Sequence, residues 1–183
     1  DLYDYYFEHK RQQEEVMRGA PQIITQVHDE YAHLSGRRYG NGLIDTYCLE
    51  DAEVATVCVG STAGTVKAVV DQLRAKGVKA GLLRLRSFRP LPVTDIMRAL
   101  EGVKAVAVMD RSNSFGGYGG PVFHEVRHIL YDAKSHPFVV NYVYGLGGRD
   151  MPPDIIRSIY RDLQEIVKTK RVKDYVRFAG VRE

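Results

Sequence analysis

A three-layer α/β/α fold around a mostly parallel sheet is what this sequence predicts from residue 51 onward. Two observations carry the prediction. Apolar runs rich in valine alternate with segments whose apolar residues recur every three or four positions, a βαβαβαβα series joined by short links. The runs VATVCVG, AVAVMD and FVVNYVY are almost continuously apolar, as strands buried on both faces must be. Crossovers between such strands are expected to be right-handed.

The elements follow in order. Residues 1–18, DLYDYYFEHKRQQEEVMR, are polar, aromatic and compatible with a helix. Leu2, Tyr5, Tyr6, Val16 and Met17 make no continuous stripe, so the segment reads as an arm that needs a partner surface. Gly19-Ala20-Pro21 is expected to interrupt it. From 21 to 34, Ile23, Ile24, Val27, Tyr31 and Leu34 recur at helical spacing, and Gly36 supplies a stop. SGRRYGNG is a turn-rich loop and GLIDTYCL reads as extended.

Residues 51–60 end in the strand EVATVCVG. The helix at 61–77 takes Ser61 or Thr62 as its cap and turns Val66, Val69, Val70 and Leu73 inward. A strand at 78–86 precedes a short helix at 91–100, introduced by Pro90 and Pro92. The third strand, 103–110, leads through a glycine-rich loop to a helix at 121–133 with Val122, Val126, Ile129 and Leu130 inward. A fourth strand at 138–144 and a helix at 153–168 complete the series, and KTKRVKDYVRFAGVRE reads as a basic, solvated tail. The chain is thus expected to divide into a linker or arm at 1–50, an α/β domain at 51–168 and a tail at 169–183.

Bulk properties narrow the function classes. Of 183 residues, 44% are hydrophobic and 27% charged, an ordinary globular balance. Lys and Arg number 26 against 23 Asp and Glu, without the clustered basic face that nucleic acid requires. No apolar run approaches 18 residues, so no membrane span is expected, and no signal peptide is visible. Cys48 and Cys58 form no CxxC, which argues against a zinc or iron–sulfur site made by this chain alone. Two thiols in such a chain point to a cytoplasmic setting.

Three loops lie beyond strand ends, where open α/β sheets gather ligands and partner surfaces. In Gly60-Ser61-Thr62-Ala63-Gly64, two readings are open: free N–H groups hold an anion, or the glycine simply permits the turn while a hydroxyl caps the helix. Arg111–Gly120 has glycines at 116, 117, 119 and 120, which do not fit G-x-G-x-x-G, and it follows the third strand rather than the first. It reads as a flexible contact loop containing Asn113. Arg111 is able to bind a phosphate or carboxylate, or to pair with Asp110 or a partner subunit. In Gly145-Leu146-Gly147-Gly148-Arg149-Asp150 the glycines allow close backbone approach, and the adjacent guanidinium and carboxylate orient the loop or meet a ligand. Asp154 is placed to cap or charge the first turn of the last helix.

No acid/base pair, nucleophile elbow or phosphate-binding GxxxxGK[ST] accompanies these loops. His124 and His128 are one helical turn apart, but EVR separates them and no third ligand is evident, so no metal site is expected. No catalytic residue is assigned.

The same motifs, in this order, resemble a known family. DAEVATVCVGSTAGTVKAVVDQLRAKGVKAGLLRLRSFRPLP, VAVMDRSNSFGGYGGPVFHEV and YGLGGRD are similar to the alpha-chain region of 2-oxoacid:ferredoxin oxidoreductases, most like pyruvate:ferredoxin oxidoreductase (pyruvate synthase). The likeness spans about residues 8–165, with RSFRPLP, MDRS and GLGGRD its most specific parts. It implies a transketolase C-terminal-like domain of an enzyme that decarboxylates a 2-oxoacid with thiamine diphosphate and Mg2+. It also implies electron transfer through iron–sulfur clusters to ferredoxin and acyl transfer to coenzyme A. This chain lacks both a GDG…N diphosphate motif and cluster cysteines. The resemblance therefore implies that the cofactors sit in other domains or subunits, and that this part serves assembly and active-site shaping and is inactive alone. Ser61, Thr62, Arg111, Asn113, Gly147, Gly148, Arg149 and Asp150 are expected to line a loop edge or interface. The substrate is expected to be pyruvate, with oxalate or another small 2-oxoacid as the alternative. Two other readings stay open: a non-catalytic assembly module, and a standalone nucleotide-binding α/β domain.

Overall fold

A computed structural model describes residues 3–182. Its elements are α1 (Tyr6–Ser35), β1 (Ile44–Tyr47), β2 (Val54–Val59), α2 (Thr62–Arg74), β3 (Ala80–Leu85), α3 (Val93–Ala99), β4 (Ala105–Asp110), α4 (Pro121–Tyr131), β5 (Phe138–Val143), α5 (Pro153–Thr169) and β6 (Val176–Phe178). They build one six-stranded sheet in the order β1-β3-β2-β4-β5-β6. Among the described residues only the β1–β3 pairing is antiparallel.

The period of two along the strands sorts side chains to two faces. Ala55, Val57, Leu83, Val106 and Val108 join Ile96 and Leu100 near α3 and Val122, Phe123 and Val126 of α4. Val54, Cys58, Leu82, Ala107 and Val140 join Val66 and Val70 of α2 and Ile156, Ile159 and Leu163 of α5. The three layers expected from the sequence are therefore present, with α3 and α4 on one face and α2 and α5 on the other.

Three expectations are corrected. Gly19-Ala20-Pro21 does not break the first helix, because α1 runs unbroken from Tyr6 to Ser35 with Pro21 inside it. A proline removes one backbone donor, but its fixed φ is helical, and Thr25 Oγ1 donates to Pro21 O at 3.0 Å. The tail at 169–183 is not simply solvated. Val176–Phe178 extends the sheet as β6, and Ala179 N donates to Val143 O at 2.8 Å. Ser61 does not cap α2 with its side chain; it sits at φ −72, ψ −25, a helical conformation rather than the extended one that aims a capping hydroxyl.

Other expectations hold. GLIDTYCL is extended over Ile44–Tyr47 as β1, Gly36 ends α1 in the left-handed conformation, and Pro121 and Pro153 open their helices. Asp154 lies in the first turn of α5 and pairs with Arg157.

Candidate functional site

The three expected loops share one edge of the sheet, because β2, β4 and β5 are parallel neighbours and all end there. Their lower parts are tied together by a buried polar network centred on Asp110 and Asn141.

Asp110 is the last residue of β4 and is 2% exposed. Its Oδ1 accepts from Val122 N at 2.9 Å and its Oδ2 from Phe123 N at 3.1 Å, so it satisfies the free N–H groups that open α4. Asn141, wholly buried in β5, donates to Asp110 Oδ2 at 2.9 Å and to Val108 O at 2.9 Å. Asn141 Oδ1 accepts from Gly120 N at 2.9 Å. Burial pushes the Asp110 carboxyl above its ordinary value, although its three hydrogen bonds act in the opposite direction.

Packing explains the final Gly-Gly of the loop. A Cβ on Gly120 would stand 2.2 Å from Asp110 Cγ, and one on Gly119 would stand 2.9 Å from Asn141 Oδ1. The loop is thus anchored at Gly119 and Gly120, whereas Phe115 and Tyr118 project into solvent. His124 meets Tyr118 O at 2.8 Å, and Glu125 pairs with Arg89 of the RSFRPLP turn. These are the roles the structure gives His124 and Glu125 of the HEVRH segment.

Thr62 and Arg111 connect the loops further. Tyr144 O–H donates to Thr62 Oγ1 at 2.8 Å, joining the start of α2 to the end of β5. Arg111 Nη2 lies 3.4 Å from Gly145 O, and its Nε would stand 2.9 Å from a Cβ on Gly145. The possible pairing of Arg111 with Asp110 is not made, because the Asp110 carboxylate faces α4.

Gly147 and Gly148 adopt φ of 65° and 81°, a left-handed region that favours glycine. Arg149 leaves this turn and donates to Gly180 O at 2.5 Å, linking the loop to the segment after β6. Arg149, Asp150, Ile155, Gly180 and Arg182 line a concavity of about 680 Å3. Ser61, Asn113 and Asp150 are exposed on the same edge. The structure therefore joins Thr62 and Arg111 to the third loop through Tyr144 and Gly145, and sends Arg149 toward the C-terminal segment.

Asp110, Asn141 and Tyr144 are the residues that sequence reasoning missed as organisers of this edge. Asn141 had left a signal, a lone amide within the apolar run FVVNYVY. Asp110 acts on a helix that begins eleven positions later, beyond the reach of a local capping pattern.

The edge offers guanidinium and hydroxyl groups for contact. Among the described residues no group of three or more His, Cys, Asp or Glu is placed to hold a metal ion, and no helix is long and apolar enough to cross a membrane.

Comparison with known proteins gives these features a context. Residues 52–156 match the family model of the pyruvate:ferredoxin oxidoreductase core domain II. Pyruvate synthase subunit PorA of Thermotoga maritima is 42% identical over 183 residues, covering 100% of this chain and 45% of that protein. Ketoisovalerate oxidoreductase subunit VorA of Pyrococcus horikoshii is 35% identical over 172 residues, covering 94% of this chain and 42% of that protein. The solved structure of a split-gene transketolase, an inactive β4 tetramer, covers 73% of this chain and 44% of its own at 19% identity and a TM-score of 0.49. The chain spans a little under half the length of the curated relatives named here. Because the family model takes in more than half of the 183 residues, this chain belongs to the pyruvate:ferredoxin oxidoreductase core domain II family.

Proposed function

We propose that this chain is part of a thiamine-diphosphate-dependent 2-oxoacid:ferredoxin oxidoreductase. The complex converts pyruvate, coenzyme A and oxidised ferredoxin to acetyl-CoA, CO2 and reduced ferredoxin. This part contributes assembly and shaping of the active-site approach, and the thiamine, Mg2+ and cluster centres belong to other domains or subunits of a cytoplasmic complex.

The observation that carries this reading is the construction of the strand-end edge. Its loops are locked from below by Asp110, Asn141 and Tyr144, while Arg111, Phe115, Tyr118 and Leu146 stand exposed above. A rigid base beneath exposed aromatic, aliphatic and guanidinium groups suits a contact surface with another domain or subunit. Ser61, Thr62, Asn113, Gly147, Gly148, Arg149 and Asp150 belong to the same surface in this reading. In the same reading the α/β domain at 51–168 is completed by β1 from the 1–50 arm and by β6 from the 169–183 segment.

The chain's thiols do not fit an iron–sulfur cluster. Such clusters take four cysteine ligands, and this chain has two cysteines, of which Cys58 is wholly buried. No chemical step is therefore assigned to these residues. Ketoisovalerate oxidoreductase relatives favour a second substrate reading, in which a branched 2-oxoacid replaces pyruvate.

The test is to tag the chain, purify it from its native source, and assay reduction of ferredoxin with pyruvate and coenzyme A. Co-purification of thiamine-binding and cluster-binding subunits with pyruvate-dependent reduction is expected. A chain that elutes alone, or a complex that reduces ferredoxin with no 2-oxoacid, overturns the reading.

A further inference from the structure

The first helix has no adequate partner within the described residues. It is 30 residues long, contains Pro21, and none of its residues is buried. Helices in water draw most of their stability from packing an amphipathic face, and an interior proline costs about 3 kcal/mol. Something outside the described residues is needed to support α1.

Its continuity reveals the face concerned. With Pro21 inside one unbroken helix, Val16, Ala20, Ile23, Val27, Tyr31 and Leu34 fall within about 80° of arc. The sequence alone separated Val16 from the others at Gly19-Ala20-Pro21. Their steps of three and four positions are those of a helix seam that interdigitates with another helix. Val16 is 78% exposed, Ile23 63%, Val27 57%, Tyr31 47% and Leu34 86%. The contact with the α/β body uses a neighbouring face, where Ile24 and His28 lie close to Gly42.

We infer that this stripe of α1 docks against an apolar helix in the part of the polypeptide that lies outside these 183 residues. The inference rests on the reading of this chain as a segment of a longer oxidoreductase subunit. PorA of Thermotoga maritima, of which the matched segment is 45%, has more than half its length beyond that segment. Size separates this occupant from a second copy of the chain. From Val16 to Leu34 the stripe is about 27 Å long and about 10 Å wide, a footprint of about 300 Å2. A stable interface between free partners needs about 800 Å2 on each. A tethered partner needs less, because the linker holds it at a local concentration in the millimolar range.

The test is hydrogen exchange followed by mass spectrometry on α1, in the 183-residue chain and in the complete polypeptide expressed by itself. Amides between 16 and 34 are expected to exchange at least about 100-fold more slowly in the complete polypeptide. Ile23→Lys with Val27→Lys should abolish that protection while leaving the melting temperature of the 183-residue chain unchanged. Three results overturn the inference: equal exchange in both proteins, protection that survives the double substitution, or a 183-residue chain that self-associates and protects α1 unaided. So does a gene that encodes nothing beyond this segment. Because the complete polypeptide is tested without its partner subunits, failure here is distinguishable from failure to assemble an active complex.

Discussion

Asn141 donates to Asp110 at 2.9 Å between neighbouring strands, and this contact organises the edge of the sheet that faces the proposed partners. Asp110 holds the start of α4, and Asn141 holds the glycine pair before it. The long loop is consequently fixed at its C-terminal end and exposed at Phe115 and Tyr118.

Asp110→Ala leaves buried N–H groups of Val122 and Phe123 without their acceptor. It is expected to destabilise the chain by about 3 kcal/mol, measured by urea unfolding. Burial raises the folded carboxyl above its unfolded value, so Asp110 binds its proton more tightly in the native state. That contribution is fully present below the unfolded value of about 4 and is lost as pH rises through the folded one. The stability gap between the native chain and the variant should narrow as pH rises across this window.

Gly120→Ala forces a methyl group against Asp110, which three hydrogen bonds hold in place. A loss of about 3 kcal/mol is expected, or a fall of about 6–12 °C in the melting temperature. Combined with Asp110→Ala, the substitution should cost markedly less than on its own, because the clash has been removed. Strict additivity in a double-mutant cycle would refute the steric explanation.

Arg149→Ala removes an exposed side chain whose intrachain bond is to Gly180 O. The melting temperature of the chain should move by less than about 4 °C. Association with partner subunits, measured by co-purification, should weaken. A fall of more than about 10 °C would make the contact an internal structural one.

Cys58 is buried against the α2–α5 layer, and burial pushes its thiol up to about 12. An ordinary thiol titrates near 8.5 and reacts as the thiolate. Iodoacetamide at about pH 8 should therefore modify half-buried Cys48 before Cys58 in the folded chain, and both in urea. Mass spectrometry of the labelled peptides reads the outcome, and equal labelling of the two in the folded chain would contradict it.

Much of the fold was legible because strands buried on both faces leave apolar runs such as VATVCV, AVAVMD and FVVNYV, and covering helices leave a three-to-four-residue spacing. The same logic placed the three loops on strand ends. Two misreadings have different causes, a proline whose fixed φ also suits a helix and a terminal strand whose pairing partner lies far away in sequence. Gly19 and Pro21 read as a break, yet α1 continues through them. The segment KTKRVKDYVRF reads as a solvated tail, yet Val176–Phe178 completes the sheet beside β5.

The sequence by itself determined the layers, the strand series, the loops that share one edge and the family likeness, because periodicity and motif order are local or linear properties. Only the tertiary structure decided that Asp110 caps α4, that Asn141 and Gly120 complete its network, that Tyr144 meets Thr62, and that Arg149 reaches Gly180. Each of these contacts joins residues at least 12 positions apart. Such pairings depend on strand order and register, which no short-range pattern encodes.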